Sequence, residues 1–246
     1  MANIQCNVIS YLLKRTVDLT VILPTVTIPE AMSLRGPEVH HIYPHPYPVL
    51  YLLHGFGNNH QQWGGYTNIE LYAEERQIAV VAISGENKFY LDQGEDIFYD
   101  FIETELQEFI TNTFPISDKR EDTYIAGLSM GGFGALYHGL QNPQKYRAVG
   151  AFSAAVGVKD RKECDLTKIT LPVQNCPDLY LTCGKDDFLY ENNLRFIQYL
   201  SEHGIKYTWT AEPGYTHEWR FWGLAVERFL DWLPRTDYYA GRKRNV

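Results

Sequence analysis

Between Val49 and Gly55 the chain reads VLYLLHG, a nearly continuous apolar run. Such a run suits a strand with both faces buried, as in a parallel sheet covered by helices. Comparable runs recur as IAVVAI (78–83), DTYIAG (122–127), AVGAFS (148–153) and DLYLTC (178–183), followed by KYTWTAE (206–212). Helices are expected at about 67–76, 96–113, 130–141, 189–203 and 217–232. Strands alternating with helices of this length predict an α/β fold, a mostly parallel sheet of about eight strands with helices on both faces. Residues 4–13 and 15–23 alternate instead. Val17, Leu19 and Val21 fall on one face of the second run, Asp18 and Thr20 on the other, and Lys14-Arg15 marks the turn between the runs. These two strands are read as an antiparallel edge.

The 246 residues, without repeats or a linker-like stretch, are expected to form one domain spanning 1–246. Within it the irregular segment 154–177, with its polar start KDRKECD, is the candidate for a small cap or lid. A net charge of −8 argues against nucleic acid and anionic membranes as partners and against acidic polymers as substrates, and neutral or weakly charged substrates fit better. The N-terminus lacks the order of a signal peptide, and no run approaches a membrane helix, so the expectation is a soluble, cytoplasmic protein. Homo-oligomerisation stays open. Cys6, Cys164, Cys176 and Cys183 form no C-x-x-C pair and are read as reduced structural thiols. His40, His41, His45 and His54 fall in or near a proline-broken loop, with no spacing that aims them at one point. No metal is expected there.

In a parallel α/β sheet, functional groups gather at the carboxyl ends of the strands. After DTYIA comes Gly127-Leu128-Ser129-Met130-Gly131, a G-x-S-x-G motif. Chance supplies this pattern in roughly one chain of this length in twelve. Its placement between a strand and a helix is the informative context: a turn this sharp needs small flanks and pushes the serine hydroxyl into the open. A serine nucleophile needs a base, and the base an orienting acid. After DLYLTC come Asp186 and Asp187, and after KYTWTAEPGYT comes His217, so the chain order is serine, aspartate, histidine. Either aspartate can serve on this reading. Acyl transfer also needs backbone N–H groups aimed at the developing oxyanion. Met130, directly after the serine, is one expected donor. Phe56, in the His54-Gly55-Phe56-Gly57 loop after VLYLL, is the other, and His54 is expected to shape that loop. Trp63, Phe152, Trp219 and Trp222 are candidates for lining a substrate pocket.

The stretches YLLHGFGNNHQQW, AGLSMGGFGAL, CGKDDFLYENN and GYTHEWRFW resemble the putative-esterase family of α/β hydrolases, and they span about Val49 to Trp222 in the right order. That family includes tributyrin, feruloyl and acetylxylan esterases and S-formylglutathione hydrolases. The resemblance implies an α/β-hydrolase fold and a serine carboxylesterase acting on a small-molecule ester, short-chain or aryl, without a cofactor. It implies Ser129 as nucleophile, His217 as base, and Phe56 and Met130 as oxyanion donors. It prefers Asp187 to Asp186 as acid, because the acid turn of such hydrolases commonly reads G-x-x-D. Feruloyl or acetylxylan esterase, S-formylglutathione hydrolase and acyltransferase activities remain alternatives. The HGFG loop departs from the usual S-formylglutathione hydrolase sequence. A non-catalytic binding module would have no need of the complete set.

Overall fold

The computed structural model describes residues 1–26, 32, 46–159, 161–172 and 174–235. Its strands are β1 (Ala2–Ser10), β2 (Arg15–Leu23), β3 (Val49–Leu53), β4 (Ala79–Ile83), β5 (Thr123–Leu128), β6 (Ala148–Phe152), β7 (Asp178–Gly184) and β8 (Thr208–Glu212). They form one eight-stranded sheet in the order β1-β2-β4-β3-β5-β6-β7-β8. The pairs from β4 to β8 are parallel, while β2 runs antiparallel to both β1 and β4. The expected sheet and its antiparallel edge are therefore present. The helices are α1 (Gln62–Tyr66), α2 (Ile69–Arg76), α3 (Phe98–Asp100), α4 (Gln107–Thr113), α5 (Met130–Gln141), α6 (Tyr190–Glu202) and α7 (Trp219–Trp232).

Strands β3 to β6 are buried at every position. Their side chains alternate between two cores, as the period of a strand requires. Val49, Tyr51 and Leu53 of β3 pack on one face with Phe133 and Leu136 of α5 and Phe196 and Leu200 of α6. Leu50 and Leu52 pack on the other with Ile69 and Ala73 of α2 and Phe221, Val226 and Phe229 of α7. From β3 the chain moves to β4 on one side, then crosses to β5 on the other. The strand order thus reverses between β3 and β5, and the crevice beyond their carboxyl ends is where such sheets place ligands.

Several boundaries differ from the sequence expectation. The first strand ends at Ser10 rather than continuing to 13, because a distant carboxylate captures the turn. Glu105 accepts from Ser10 Oγ at 2.6 Å, from the Tyr11 N–H at 2.9 Å and from the Leu12 N–H at 3.1 Å. Ser10 Oγ in turn accepts from the Leu13 N–H at 2.9 Å. The expected helix over 96–113 is composite: α3 leads through a π-helical segment (Phe101–Leu106) into α4. That segment buries Glu103 as well as Glu105, and Glu103 accepts from His138 Nδ1 and Tyr146 Oη. The last helix begins at Trp219, leaving His217 in the preceding loop. Segment 154–177 carries two 3-10 turns (Lys162–Cys164 and Leu166–Lys168), with Cys164 and Leu166 buried in the core. Among the described residues no helix is long and apolar enough to cross a membrane.

Replacing Glu105 by alanine leaves a buried hydroxyl and two N–H groups without their acceptor, and is expected to cost about 2 kcal/mol. Urea denaturation will read this, with E105Q, which keeps one acceptor oxygen, losing less.

Candidate active site

Ser129 joins β5 to α5 with φ 52° and ψ −115°. A non-glycine residue held there stores about 1–3 kcal/mol of backbone strain, so the surroundings must over-determine the turn. They do so by close approach. A Cβ on Gly127 would lie 2.4 Å from the Gly131 carbonyl carbon, and one on Gly131 would lie 2.4 Å from the Leu53 carbonyl oxygen. Backbone atoms meet there, so no side chain can give way. The turn is also tied into the sheet: the Ser129 N–H donates to the Phe152 carbonyl at 2.8 Å, and the Ser129 carbonyl accepts from the Phe133 and Ala155 N–H groups. Met130 opens α5, so its N–H is among those without an intrahelical acceptor.

His217 faces Ser129 from the loop between β8 and α7. Its Nε2 lies 3.0 Å from Ser129 Oγ and its Nδ1 lies 2.8 Å from Asp187 Oδ2. Three residues from three strand ends, 88 and 30 positions apart in the two bonds, thus form one hydrogen-bonded line. The loops carrying Asp187 and His217 are clamped together by Lys185 N–H donating to the Glu212 carbonyl and Asp186 N–H to the Tyr215 carbonyl. Asp187 is the buried member of the aspartate pair and Asp186 is exposed. Burial opposes the Asp187 charge, but the His217 hydrogen bond, the Leu189 N–H, the His217 charge and the Ser153 hydroxyl outweigh it. The carboxyl is held below its usual range, so it stays an acceptor. That fixes the His217 proton on Nδ1 and turns the Nε2 lone pair towards Ser129.

The loop after β3 is organised by His54, which is fully buried. The Gly85 N–H donates to its Nε2 at 2.8 Å, so Nδ1 carries the ring proton and donates to the Gly55 carbonyl at 2.7 Å. That carbonyl and the Phe56 N–H belong to one peptide plane, so the imidazole fixes the orientation of the N–H as well. The Gly57 N–H donates to Asn87 Oδ1, pinning the other end of the loop, and the Tyr90 hydroxyl donates to the His54 carbonyl. Burial, partly offset by the bond to Gly55 and reinforced by His60, lowers His54 from the usual 6.5 to about 4.

The four tryptophan and phenylalanine candidates separate. Trp63 and Phe152 are buried in the core beneath the site, Trp63 with its indole N–H on the Leu53 carbonyl. Trp222 is also core, but its ring meets the His217 ring edge-on at 4.8 Å. Trp219 is half-buried and stacked under the exposed Tyr66. The structure does not bring Trp63 or Phe152 to a surface a substrate could reach. Instead it places Phe188, 74% exposed, with its ring 4.6 Å from that of His217. Sequence reasoning passed over Phe188, although its position directly after the aspartate was a usable signal. Of the loop histidines, His40, His41 and His45 lie outside the described residues, and His54 is committed to the loop above. Among the described residues no group of three or more His, Cys, Asp or Glu could hold a metal ion.

The His54 environment predicts a pH effect on stability. Between pH 6.5 and about 4 the unfolded chain binds a proton that folded His54 refuses, so stability falls as pH drops through that window, by up to about 3 kcal/mol. Asp187, held low, adds its own loss only at more acid pH, as its carboxylate is protonated. Urea midpoints measured from pH 7 to 4 are expected to fall less steeply for His54→Gln than for the wild type.

Comparison with known proteins matches this arrangement to a family. Residues 32–177 match the family model described as "Putative esterase". An acetyl esterase of Caldicellulosiruptor saccharolyticus is 31% identical, with 96% of this chain and 99% of the relative aligned. Among solved structures, the substrate-bound fluorophosphonate-binding serine hydrolase F of Staphylococcus aureus is 30% identical, with a TM-score of 0.76 over 94% of this chain and 98% of its own. An S-formylglutathione hydrolase of Staphylococcus aureus is 28% identical over the same shares, also with a TM-score of 0.76. With a family model covering more than half its length and a relative of this identity across nearly all of it, the chain belongs to the putative-esterase family of α/β hydrolases.

Proposed function

We propose that this serine esterase cleaves short-chain carboxylic esters through an acyl-enzyme on Ser129, with His217 as base and acid, Asp187 as orienting carboxylate, and the Phe56 and Met130 N–H groups as oxyanion donors. The observation that carries the reading is the continuous line from Ser129 Oγ to His217 Nε2 at 3.0 Å and from His217 Nδ1 to Asp187 Oδ2 at 2.8 Å. Nε2 accepts the serine proton as Oγ attacks the acyl carbon. The oxyanion is held by N–H groups already fixed, one by the strained turn and one by His54, so no reorganisation is needed as charge develops. The imidazolium, stabilised by ionised Asp187, returns its proton to the leaving alcohol. A water then enters, gives its proton to Nε2 and releases the acid.

The short acyl preference draws on the similarity to an acetyl esterase. Thioester hydrolysis is the second reading, favoured by the likeness to an S-formylglutathione hydrolase despite the HGFG loop. On either reading the leaving group must reach His217 Nε2 beside the Phe188 ring. The segment 154–177 is proposed as a small cap of the single domain. This is supported by Arg161, whose guanidinium stands 5.9 Å from the Phe56 ring and 4.6 Å from the Phe89 ring.

Ser129→Ala is expected to lower p-nitrophenyl acetate turnover by roughly 10⁴-fold or more and to abolish fluorophosphonate labelling, with the melting temperature retained. Asp187→Asn is expected to cost at least about 10²-fold in kcat, and Asp186→Asn less than about threefold. The reverse ranking in steady-state kinetics would move the acid to Asp186. A panel of p-nitrophenyl acetate, butyrate and S-formylglutathione measures the substrate preference, and kcat/KM is expected to be highest for the acetate.

A further inference from the structure

One short segment, residues 85–90, reaches three consecutive peptide planes of the loop after β3. The Tyr90 hydroxyl donates to the His54 carbonyl of the 54–55 peptide at 2.9 Å. The Gly85 N–H fixes the His54 ring, and that ring fixes the Gly55 carbonyl of the 55–56 peptide. Asn87 Oδ1 accepts from the Gly57 N–H of the 56–57 peptide at 2.7 Å. A planar peptide turns as a unit, so a bond to its carbonyl or to its N–H orients both. The Phe56 N–H, in the middle plane, is therefore bracketed by two planes that are themselves held. The same segment meets the Phe56 side chain, with the Phe89 ring 6.5 Å from its ring.

The segment carries backbone strain. Glu86, Phe89 and Tyr90 all lie in the left-handed region, with φ 49°, 57° and 60°. Conformations that glycine adopts readily persist in other residues when contacts over-determine them. Here those contacts can be named. Glu86 is ion-paired with Arg15 and with Lys88, each at 2.9 Å. Tyr90 is fully buried, its ring in a slot between two glycines. A Cβ on Gly85 would lie 2.1 Å from that ring, and one on Gly134 would lie 2.6 Å from it. The Tyr90 carbonyl also accepts from His138 Nε2 at 2.9 Å. Gly134 and His138 belong to α5, the helix that begins with Met130. The segment that holds the Phe56 peptide is thus itself referenced to the helix of the other expected donor.

We infer that residues 85–90 are a template for the oxyanion loop, with Asn87 and Tyr90 as positioning residues that aim the Phe56 N–H. The inference rests on the proposed role of Phe56 as an oxyanion donor. Acylation and deacylation both place charge on the same oxygen, so a loosened loop slows both steps. Binding of the uncharged ester changes little, because the donor matters most once charge develops. Asn87 is exposed, so truncating it opens no cavity in the core.

The test is Asn87→Ala and Tyr90→Phe, each of which removes one bond to the loop. Stopped-flow and steady-state kinetics on p-nitrophenyl acetate give the burst rate, kcat and KM. Inhibition by a trifluoromethyl ketone reports the oxyanion site directly, because its hemiketal on Ser129 carries the negative oxygen. In both variants the burst rate and kcat are expected to fall together by about tenfold, with KM changed less than about twofold. The ketone should bind more weakly by the factor lost from kcat/KM. A merely structural role would lower the melting temperature and leave these ratios alone. Wild-type kcat in either folded variant would overturn the inference, as would a loss confined to KM or an unchanged ketone affinity beside a fallen kcat. If Y90F fails to fold, N87A decides. A ketone that does not inhibit the wild type at all would instead remove the Ser129 and Phe56 assignments, and the template with them.

Discussion

The site depends on one close approach, that of the α5 N-terminus to the end of β3. Gly131 brings its backbone to a distance from the Leu53 and His54 carbonyls that excludes any side chain. Together with the hydrogen bonds that tie the turn into the sheet, it holds Ser129 at φ 52° between a buried strand and a helix. The same approach aligns two expected oxyanion donors, because β3 ends in the His54 loop and α5 begins with Met130. The strand order reverses between these two elements, so the fold opens its crevice where the backbone is most constrained.

Around that contact, the polar groups form two buried systems that set orientation rather than add bulk stability. On one side His54, kept neutral by burial, aligns the Gly55–Phe56 peptide. On the other, Asp187 stays charged although it is buried, because several donors converge on it. A neutral histidine and an ionised carboxylate, each in a buried setting, give the site a fixed proton arrangement before any substrate arrives. Such preorganisation is the main source of transition-state stabilisation in acyl transfer.

Much of this was legible in the sequence, for reasons that particular residues make clear. The apolar runs from Val49, Ala79, Thr123 and Ala148 could be read as strands because burial on both faces erases alternation. The G-x-S-x-G turn could be read because only glycine satisfies its clearances. What stayed hidden depends on contacts between distant positions. Ser10 ends its strand because of Glu105, 95 residues away. Trp63 and Phe152 looked like pocket residues because a sequence cannot say which face of an aromatic meets solvent, and they are core. The two aspartates could be separated by a family habit before the structure distinguished them by burial.

The most direct measurement is rapid-quench mass spectrometry of the wild-type protein mixed with p-nitrophenyl acetate. The account predicts a burst of p-nitrophenol before steady turnover, and an acetyl group confined to the peptide carrying Ser129, formed and lost at rates matching turnover. Turnover with no acetyl on Ser129, or an acetyl on another residue formed at the turnover rate, would contradict it.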